Sequence, residues 1–152
     1  MQYDISFALG PSEEPGADAG VIFRGGRDHL DSGGDDDYEG YYAGIRVDKN
    51  LVLGMVNGAF NTLNTTSLGS WFNPFVWHLM RITAQGSDIT IEIDGQIVIQ
   101  HRDSTYSSGW TGLHVHRVSA MFDELRILNS PDPQSTPTKS NIRPLGSYLP
   151  AM

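Results

Sequence analysis

The fold is decided by WHLMRITAQGSDITIEIDGQIVIQHR at residues 77–102, where apolar and polar residues alternate. The three isoleucines of DITIEID lie at every second position, so they share one face of an extended chain, as in a strand with one buried side. Asp94 and Gly95 interrupt the alternation, and Asp-Gly is the preferred sequence of a two-residue hairpin turn. With a second turn at residues 84–88, the stretch predicts three consecutive antiparallel strands.

The same alternation continues through most of the chain. Further predicted strands are YDISFAL (3–9), GVIFR (20–24), YYAGIRV (41–47), LVLGMVN (51–57), TGLHVHRV (111–118) and AMFDELRIL (120–128). No window predicts an amphipathic helix of convincing length. Short strands separated by glycine and aspartate turns predict an all-β fold, an antiparallel sandwich or barrel.

Four segments, in their order, resemble the concanavalin A-like jelly rolls. They are GVIFR, YYAGIRV, WHLMRITAQGSDITIEIDGQIV and SSGWTGLHVHRVSAMFDELRIL. The resemblance extends to laminin-G-like domains, levan-binding-type carbohydrate-binding modules and a related sugar-hydrolase family first described as a domain of unknown function. It implies an antiparallel two-sheet β-sandwich over residues 1–128. Members often begin with an additional strand carrying a tryptophan, and none precedes YDISFAL here.

Residues 129–152 differ in character, since they contain five of the eight prolines. Proline has no backbone N–H and is therefore excluded from central strands. We expect this segment to be an extended tail that packs on the domain or on a neighbouring subunit.

Composition excludes several classes of function. Ten Lys and Arg against 18 Asp and Glu give a net charge of −8, which argues against binding nucleic acid or an anionic membrane. The absence of cysteine excludes disulfides, zinc-thiolate sites and thiol nucleophiles. The first ten residues lack the pattern of a signal peptide. From the resemblance we nevertheless expect an extracellular or cell-surface location, as part of a larger protein.

Period-two alternation also predicts a ligand-binding face. If Leu113 and Val115 face the core, their neighbours on that strand face outward, and the same reasoning applies to the other predicted strands. The residues predicted in this way to bind a ligand are Arg24, Tyr42, Arg46, Trp110, His114 and His116, and Tyr38 is added from the loop that follows GVIFR, as part of a wall of the site. Aromatic rings pack against sugar C–H groups, while Arg and His hydrogen-bond hydroxyls. The alternative interpretation is a solvated face with Tyr42 or Trp110 partly buried.

Carboxylates suggest a calcium site. The loop DHLDSGGDDDYEG at 28–40 offers hard oxygen ligands that suit Ca²⁺, although an acidic run is more often a solvated loop or a wall of the binding site. Asp123, predicted on one face with Met121, Leu125 and Ile127, is a further candidate. The predicted metal ligands are Asp31, Asp35, Asp37 and Asp123. His114 and His116 share a face and could chelate a transition metal, but spacing fixes no third ligand. No motif indicates an organic cofactor.

These features lead to three functional hypotheses. The first is a non-catalytic, lectin-like module that binds a glycan or polysaccharide. The second is a structural or assembly domain that uses the tail for contacts in a homo-oligomer. The third and weakest is a glycoside hydrolase, because Glu92 and Asp94 match only two positions of the Glu-x-Asp-x-x-Glu pattern of glucanases with this fold, and the third is Ile97.

Overall fold

The computed structural model describes residues 1–26 and 38–129. These ranges contain ten β-strands and no helix that is long and apolar enough to cross a membrane. The strands are β1 Gln2–Leu9, β2 Asp18–Gly25, β3 Glu39–Arg46, β4 Asn50–Asn57, β5 Phe60–Ser67, β6 His78–Gln85, β7 Asp88–Ile93, β8 Gln96–Arg102, β9 Trp110–His116 and β10 Ala120–Leu128.

The strands form two five-stranded antiparallel sheets. Sheet A has the order β10-β1-β6-β7-β8 and sheet B the order β5-β4-β3-β2-β9. The predicted all-β, antiparallel two-sheet β-sandwich is thus confirmed, and the barrel is excluded for the described residues. The turn between β7 and β8 lies at Asp94 and Gly95, whose φ angles of 51° and 81° are the left-handed values that the tightest hairpins require.

The core lies between the sheets and is formed by alternate residues of both. Tyr3 and Phe7 of β1 belong to the same buried cluster as Phe23 and Tyr41 of sheet B, and all four are at most 1% exposed. The rings of Phe23 and Tyr41 stack with centroids 5.4 Å apart. Burial of large aromatic and branched side chains at this interface provides the main stabilisation of the sandwich.

Strand β5, with the sequence FNTLNTTS, was absent from the strands predicted from the sequence. It lies at the edge of sheet B, where it pairs only with β4 among the described strands, and most of its side chains are at least partly exposed. A strand that buries so few apolar side chains lacks the alternating pattern from which the other strands were predicted.

One assignment of burial and one of side-chain facing need correction. Leu113 and Val115 do lie on the inward side of β9, but they remain 43% and 46% exposed because β9 is an edge strand. Asp123 does not share a face with Ile127, since a β-bulge at Glu124, whose φ is 53°, shifts the register between them. Asp123 is exposed, so its carboxylate is not buried among apolar side chains.

Candidate functional site

A hollow of about 400 Å³ lies on the outer face of sheet B, the face turned away from the core. It extends across the sheet from β5 to β9. The residues that line it are Gly16, Asp18, Tyr38, Tyr42, Arg46, Val52, Phe60, Thr62, Thr65, His114 and His116. Its volume falls in the range of small-molecule sites, roughly 300–1,000 Å³.

On the outer face of sheet B, three neighbouring strands have glycine at nearby positions, and aromatic residues of the hollow pack over two of these glycines. Gly20 of β2 is paired with Gly44 of β3, and Gly54 of β4 is paired with Tyr42. A Cβ at Gly44 would collide with the ring and hydroxyl of Tyr42, and a Cβ at Gly54 would collide with the ring of Phe60. The two aromatic rings therefore occupy the space above glycine backbone.

Aromatic side chains form much of the hollow's surface. Tyr42 is only 4% exposed and lies between Phe60, at 6.1 Å between ring centroids, and His114, at 5.3 Å. Phe60 is 38% exposed and is therefore the ring that a ligand can reach. At the rim, Trp110 lies 6.0 Å from Tyr38, and its indole Nε1 donates to the Gly26 carbonyl oxygen at 2.6 Å.

A carboxylate and a phenol form the polar centre of the hollow. The hydroxyl of Tyr42 donates to the carboxylate of Asp18. Burial raises the pKa of Asp18, and the hydrogen bond from Tyr42 and the nearby His114, His116 and Arg46 partly offset that shift. Burial and the neighbouring Asp18 raise the pKa of Tyr42 well above its ordinary value. Tyr42 therefore stays protonated and holds the Asp18 carboxylate in place.

Hydrogen-bonding groups occupy both ends of the hollow. On β9 the imidazoles of His114 and His116 are nearly parallel, with centroids 6.4 Å apart and planes 6° apart. The Arg46 side chain is 37% exposed, and its Nε lies 4.0 Å from the Asp48 carboxylate. On the β5 side, Thr62 and Thr65 add hydroxyls that can donate or accept.

The hollow brings together most of the residues that the alternation placed on an outer face. Tyr42, Arg46, His114 and His116 line it, and so does Tyr38, which was predicted from the loop before β3. Trp110, also predicted, lies against Tyr38 at the rim.

Arg24 is the exception, and its predicted outward placement is wrong. Its φ is 51°, and the β2–β9 register shifts between Ile22 and Gly25. The side chain is only 4% exposed, and Nη1 donates to the carbonyl oxygens of Gly86 at 2.9 Å and Tyr106 at 3.1 Å. A residue with left-handed backbone angles within a strand reverses the side of the sheet on which its side chain lies. An assignment of faces from alternating sequence positions cannot reveal this reversal.

Several lining residues were missed by the sequence analysis. Asp18 could have been found by counting back two positions from Gly20, which lies on the same face of β2. Phe60, Thr62 and Thr65 could not, because β5 itself lacks an alternating apolar pattern.

One of the four predicted calcium ligands, Asp123, lies in the described part of the chain. Asp31, Asp35 and Asp37 lie outside the described residues. The Asp123 carboxylate is exposed and accepts the Glu124 backbone N–H at 2.8 Å. Within residues 1–26 and 38–129, no group of three or more His, Asp or Glu side chains is arranged to hold a metal ion.

Comparisons with known proteins agree with this architecture. The family model of the 3-keto-alpha-glucoside-1,2-lyase-like domain matches residues 1–128. The carbohydrate-binding module CBM66 from Bacillus subtilis is similar, with a TM-score of 0.68 and 19% identity over 82% of this chain and 71% of that one. Caenorhabditis elegans galectin LEC-6 gives a TM-score of 0.51 and 14% identity over 78% of this chain and 81% of that one. No curated protein matches the chain. The resemblance to jelly-roll domains is confirmed.

Proposed function

This chain belongs to the 3-keto-alpha-glucoside-1,2-lyase-like domain family. We propose that it binds a carbohydrate in the hollow on the outer face of sheet B and does not catalyse a reaction of that carbohydrate. One observation carries the proposal: a reachable aromatic ring, Phe60, lies in the same hollow as the hydrogen-bonding side chains of Asp18, Arg46, His114 and His116. Sugars need both kinds of contact, since each ring has an apolar C–H face and a polar edge of hydroxyls.

The hollow divides these two tasks between its walls. Phe60 packs over Gly54 and is 38% exposed, so part of its ring is available to sugar C–H groups. Asp18 is held by Tyr42 and can accept from hydroxyls, while Arg46 can only donate and each histidine can do either. The similar solved structures are consistent with sugar binding, because one is named as a carbohydrate-binding module and another as a galectin.

The carboxylates favour binding over glycoside hydrolysis. Hydrolysis generally uses two carboxyl groups on either side of the scissile bond. Among the described residues that line the hollow, Asp18 is the one carboxylate, and it is hydrogen-bonded to the Tyr42 hydroxyl and not placed opposite a second carboxyl group. The proposed module therefore holds its ligand through hydrogen bonds and ring contacts, and its partner is a glycan or polysaccharide.

A titration with two matched phenylalanine variants tests this proposal. A glycan array with the wild-type chain identifies a ligand, and calorimetry then compares Phe60→Ala with Phe75→Ala. Phe75 is 39% exposed, nearly the same as Phe60, but does not line the hollow. We expect Phe60→Ala to weaken binding about tenfold, as the loss of an aromatic binding residue often does, and Phe75→Ala to leave it unchanged. Equal glycan affinities of the two variants would show that the hollow is not the binding site.

Calcium is tested on the same array. Binding measured with Ca²⁺ and with a chelator separates a metal-dependent site, in which Asp31, Asp35 and Asp37 or Asp123 would act as ligands, from a site that uses side chains alone. We propose the second, because the described lining offers hydrogen-bonding groups of its own. Loss of binding in chelator would place calcium in the site.

A second candidate function is elimination from a 3-keto-α-glucoside, the reaction class in the family's description. A ketone at C3 acidifies the hydrogen at C2. A base that takes this proton allows the C–H electrons to form a C1–C2 double bond, while the C1–O bond breaks and the leaving oxygen is protonated. His114 and His116 have the chemistry of such a base and line the hollow.

Turnover measurements distinguish the two candidates. A 3-keto-α-glucoside incubated with the wild-type chain should remain intact if the module only binds. Release of the aglycone that is abolished by His114→Gln or His116→Gln would replace non-catalytic binding with elimination as the function of the hollow.

A further inference from the structure

The two edges of the sandwich differ in how they are closed. Along one edge, β5 of sheet B and β8 of sheet A contact each other. Along the other edge lie β9 of sheet B and β10 of sheet A. Four apolar side chains on these two strands are between 42% and 48% exposed. They are Leu113, Val115, Leu125 and Ile127.

Strand register shows that most of this apolar surface is directed inward. Residues that pair across antiparallel strands point to the same side of the sheet. Leu113 is paired with Val21, Val115 with Ala19, and Ile127 with Tyr3. These three partners are at most 1% exposed. The exposed side chains thus belong to the core layer, and the β9–β10 edge is a strip of core without a cover among the described residues.

We propose that the segment IRPLGSYL, residues 142–149 of this chain, covers the β9–β10 edge. Its apolar residues Ile142, Leu145 and Tyr148 lie three positions apart. A polyproline II helix has three residues per turn, so this spacing places all three on one side, and Pro144 favours that conformation. Segments of this kind typically bind in apolar grooves.

Chain length and position allow this docking. Strand β10 ends at Leu128, beside Gln2, and the segment must turn back to run along the edge. Residues 129–141 are available for that reversal. Eight residues at about 3.1 Å each span about 25 Å, close to the length of a nine-residue strand such as β10 at about 3.3 Å per residue, or about 30 Å.

Charge also favours contact with this edge. Residues 138–149 include Lys139 and Arg143 and no carboxylate, whereas the whole chain has a net charge of −8. On β10 the two exposed carboxylates, Asp123 and Glu124, outnumber the exposed cation Arg126. The segment therefore has opposite charge to the strand that it would cover, which steers and orients docking.

Engineered disulfides test the proposal directly in the full chain, which has no cysteine of its own. The test pair is Val115→Cys with Leu145→Cys. The control pair is Ile97→Cys with Leu145→Cys, because Ile97 is 58% exposed and lies on β8 at the opposite edge. After mild oxidation, non-reducing electrophoresis and peptide mapping give the yield of each disulfide.

We expect the test pair to form an intramolecular disulfide at about ten times the yield of the control pair, because docking raises the local concentration of the thiol introduced at position 145 near β9. Equal yields would overturn the proposal. A test disulfide found between two chains would also overturn it, and would assign the edge to a second copy.

A second comparison does not depend on disulfide geometry. Leu145→Asp lies on the proposed apolar side of the segment, whereas Ser147→Asp adds the same charge off that side. Binding of a dye specific for exposed apolar surface should increase about twofold in Leu145→Asp relative to Ser147→Asp, since removing the cover exposes apolar side chains. Equal dye binding would contradict docking. Both measurements are independent of glycan affinity.

Discussion

The outer faces of the two sheets are covered in different ways. The five strands of sheet A contain no glycine, while every strand of sheet B except β5 contains at least one. On sheet A, polar side chains pack over the backbone. The Asp4 carboxylate, which is 7% exposed, accepts from Arg81 Nε at 2.8 Å, from Arg81 Nη2 at 3.0 Å and from Gln2 Nε2 at 3.0 Å.

On sheet B, the glycines leave the space that aromatic rings and the hollow occupy. Gly20, Gly44 and Gly54 remove side chains from three adjacent strands, and Tyr42 and Phe60 lie on the backbone that they uncover. The contrast shows that the candidate site depends first on missing side chains and only then on the polar groups around it. Sheet A also carries hydrogen-bonding groups, but Gln2, Asp4 and Arg81 bind each other.

The largest expected effect comes from restoring a side chain on sheet B. In Gly20→Ala the new Cβ would fall inside contact distance of the Ala43 carbonyl oxygen and the Gly44 Cα, which are backbone atoms of β3 and cannot move away easily. We expect the free energy of unfolding to fall by about 3 kcal/mol, as for other overpacked interiors, when measured by urea denaturation.

Gly112→Ala is the matched control for that measurement. Its Cβ would find its nearest neighbour, Trp110 Cζ3, at 3.3 Å, and this atom belongs to a side chain. We expect a change below about 1 kcal/mol. If both alanines cost the same, the close approach of β2 and β3 is not what requires glycine at position 20.

The next effect separates stability from binding. Arg81→Met leaves the Asp4 carboxylate on sheet A with Gln2 but without its bidentate partner. We expect a loss of about 2–3 kcal/mol in unfolding free energy, because removing one member of a buried ion pair leaves the other charge uncompensated. Glycan affinity, measured by calorimetry, should not change.

Arg46→Met should show the opposite pattern. The Arg46 side chain is 37% exposed and its contact with Asp48 is long, so stability should change by less than about 0.5 kcal/mol. Affinity should fall, because Arg46 lines the hollow. If Arg81→Met lowered glycan affinity and Arg46→Met lowered the free energy of unfolding, the roles assigned to the two outer faces would be reversed.

The smallest effect is a difference in pH dependence between two carboxylates. Burial raises the pKa of Asp18 in the hollow, so the folded state holds this proton more tightly than the unfolded chain does. The contribution of Asp18 to stability is therefore lost as pH rises through its folded pKa. The hydrogen bond from Tyr41 lowers the pKa of Asp103, so the contribution of Asp103 is lost as pH falls through its folded pKa.

Urea unfolding of the wild type, Asp18→Asn and Asp103→Asn between about pH 3 and 6, the range around the ordinary Asp pKa, measures both trends. The stability of the wild type relative to Asp18→Asn should decrease with rising pH, and that relative to Asp103→Asn should increase. Slopes of the same sign would show that the two carboxylates do not differ in environment as described.

Sequence reasoning succeeded where structure repeats locally. The alternation of DITIEID and the Asp94-Gly95 turn predicted β7, β8 and their hairpin, because side-chain direction and turn geometry depend on neighbouring residues. It failed at Arg24 and Asp123, since the irregularities beside them shift the register without a clear sequence signal. It also missed β5, whose position is set by pairing with β4.

The sequence by itself determined that this protein is all-β and which side of most strands is apolar, because a period of two is a property of a few consecutive residues. The alternation left a sandwich and a barrel open, and the order of the strands in two sheets decided for the sandwich. Only the tertiary structure decided that Asp18 meets Tyr42 and that His114 stands beside Gly20. These contacts join residues far apart in the chain, and the order and register of strands in sheet B bring them together. The hollow is a product of that register, since the residues that line it come from all five strands of sheet B.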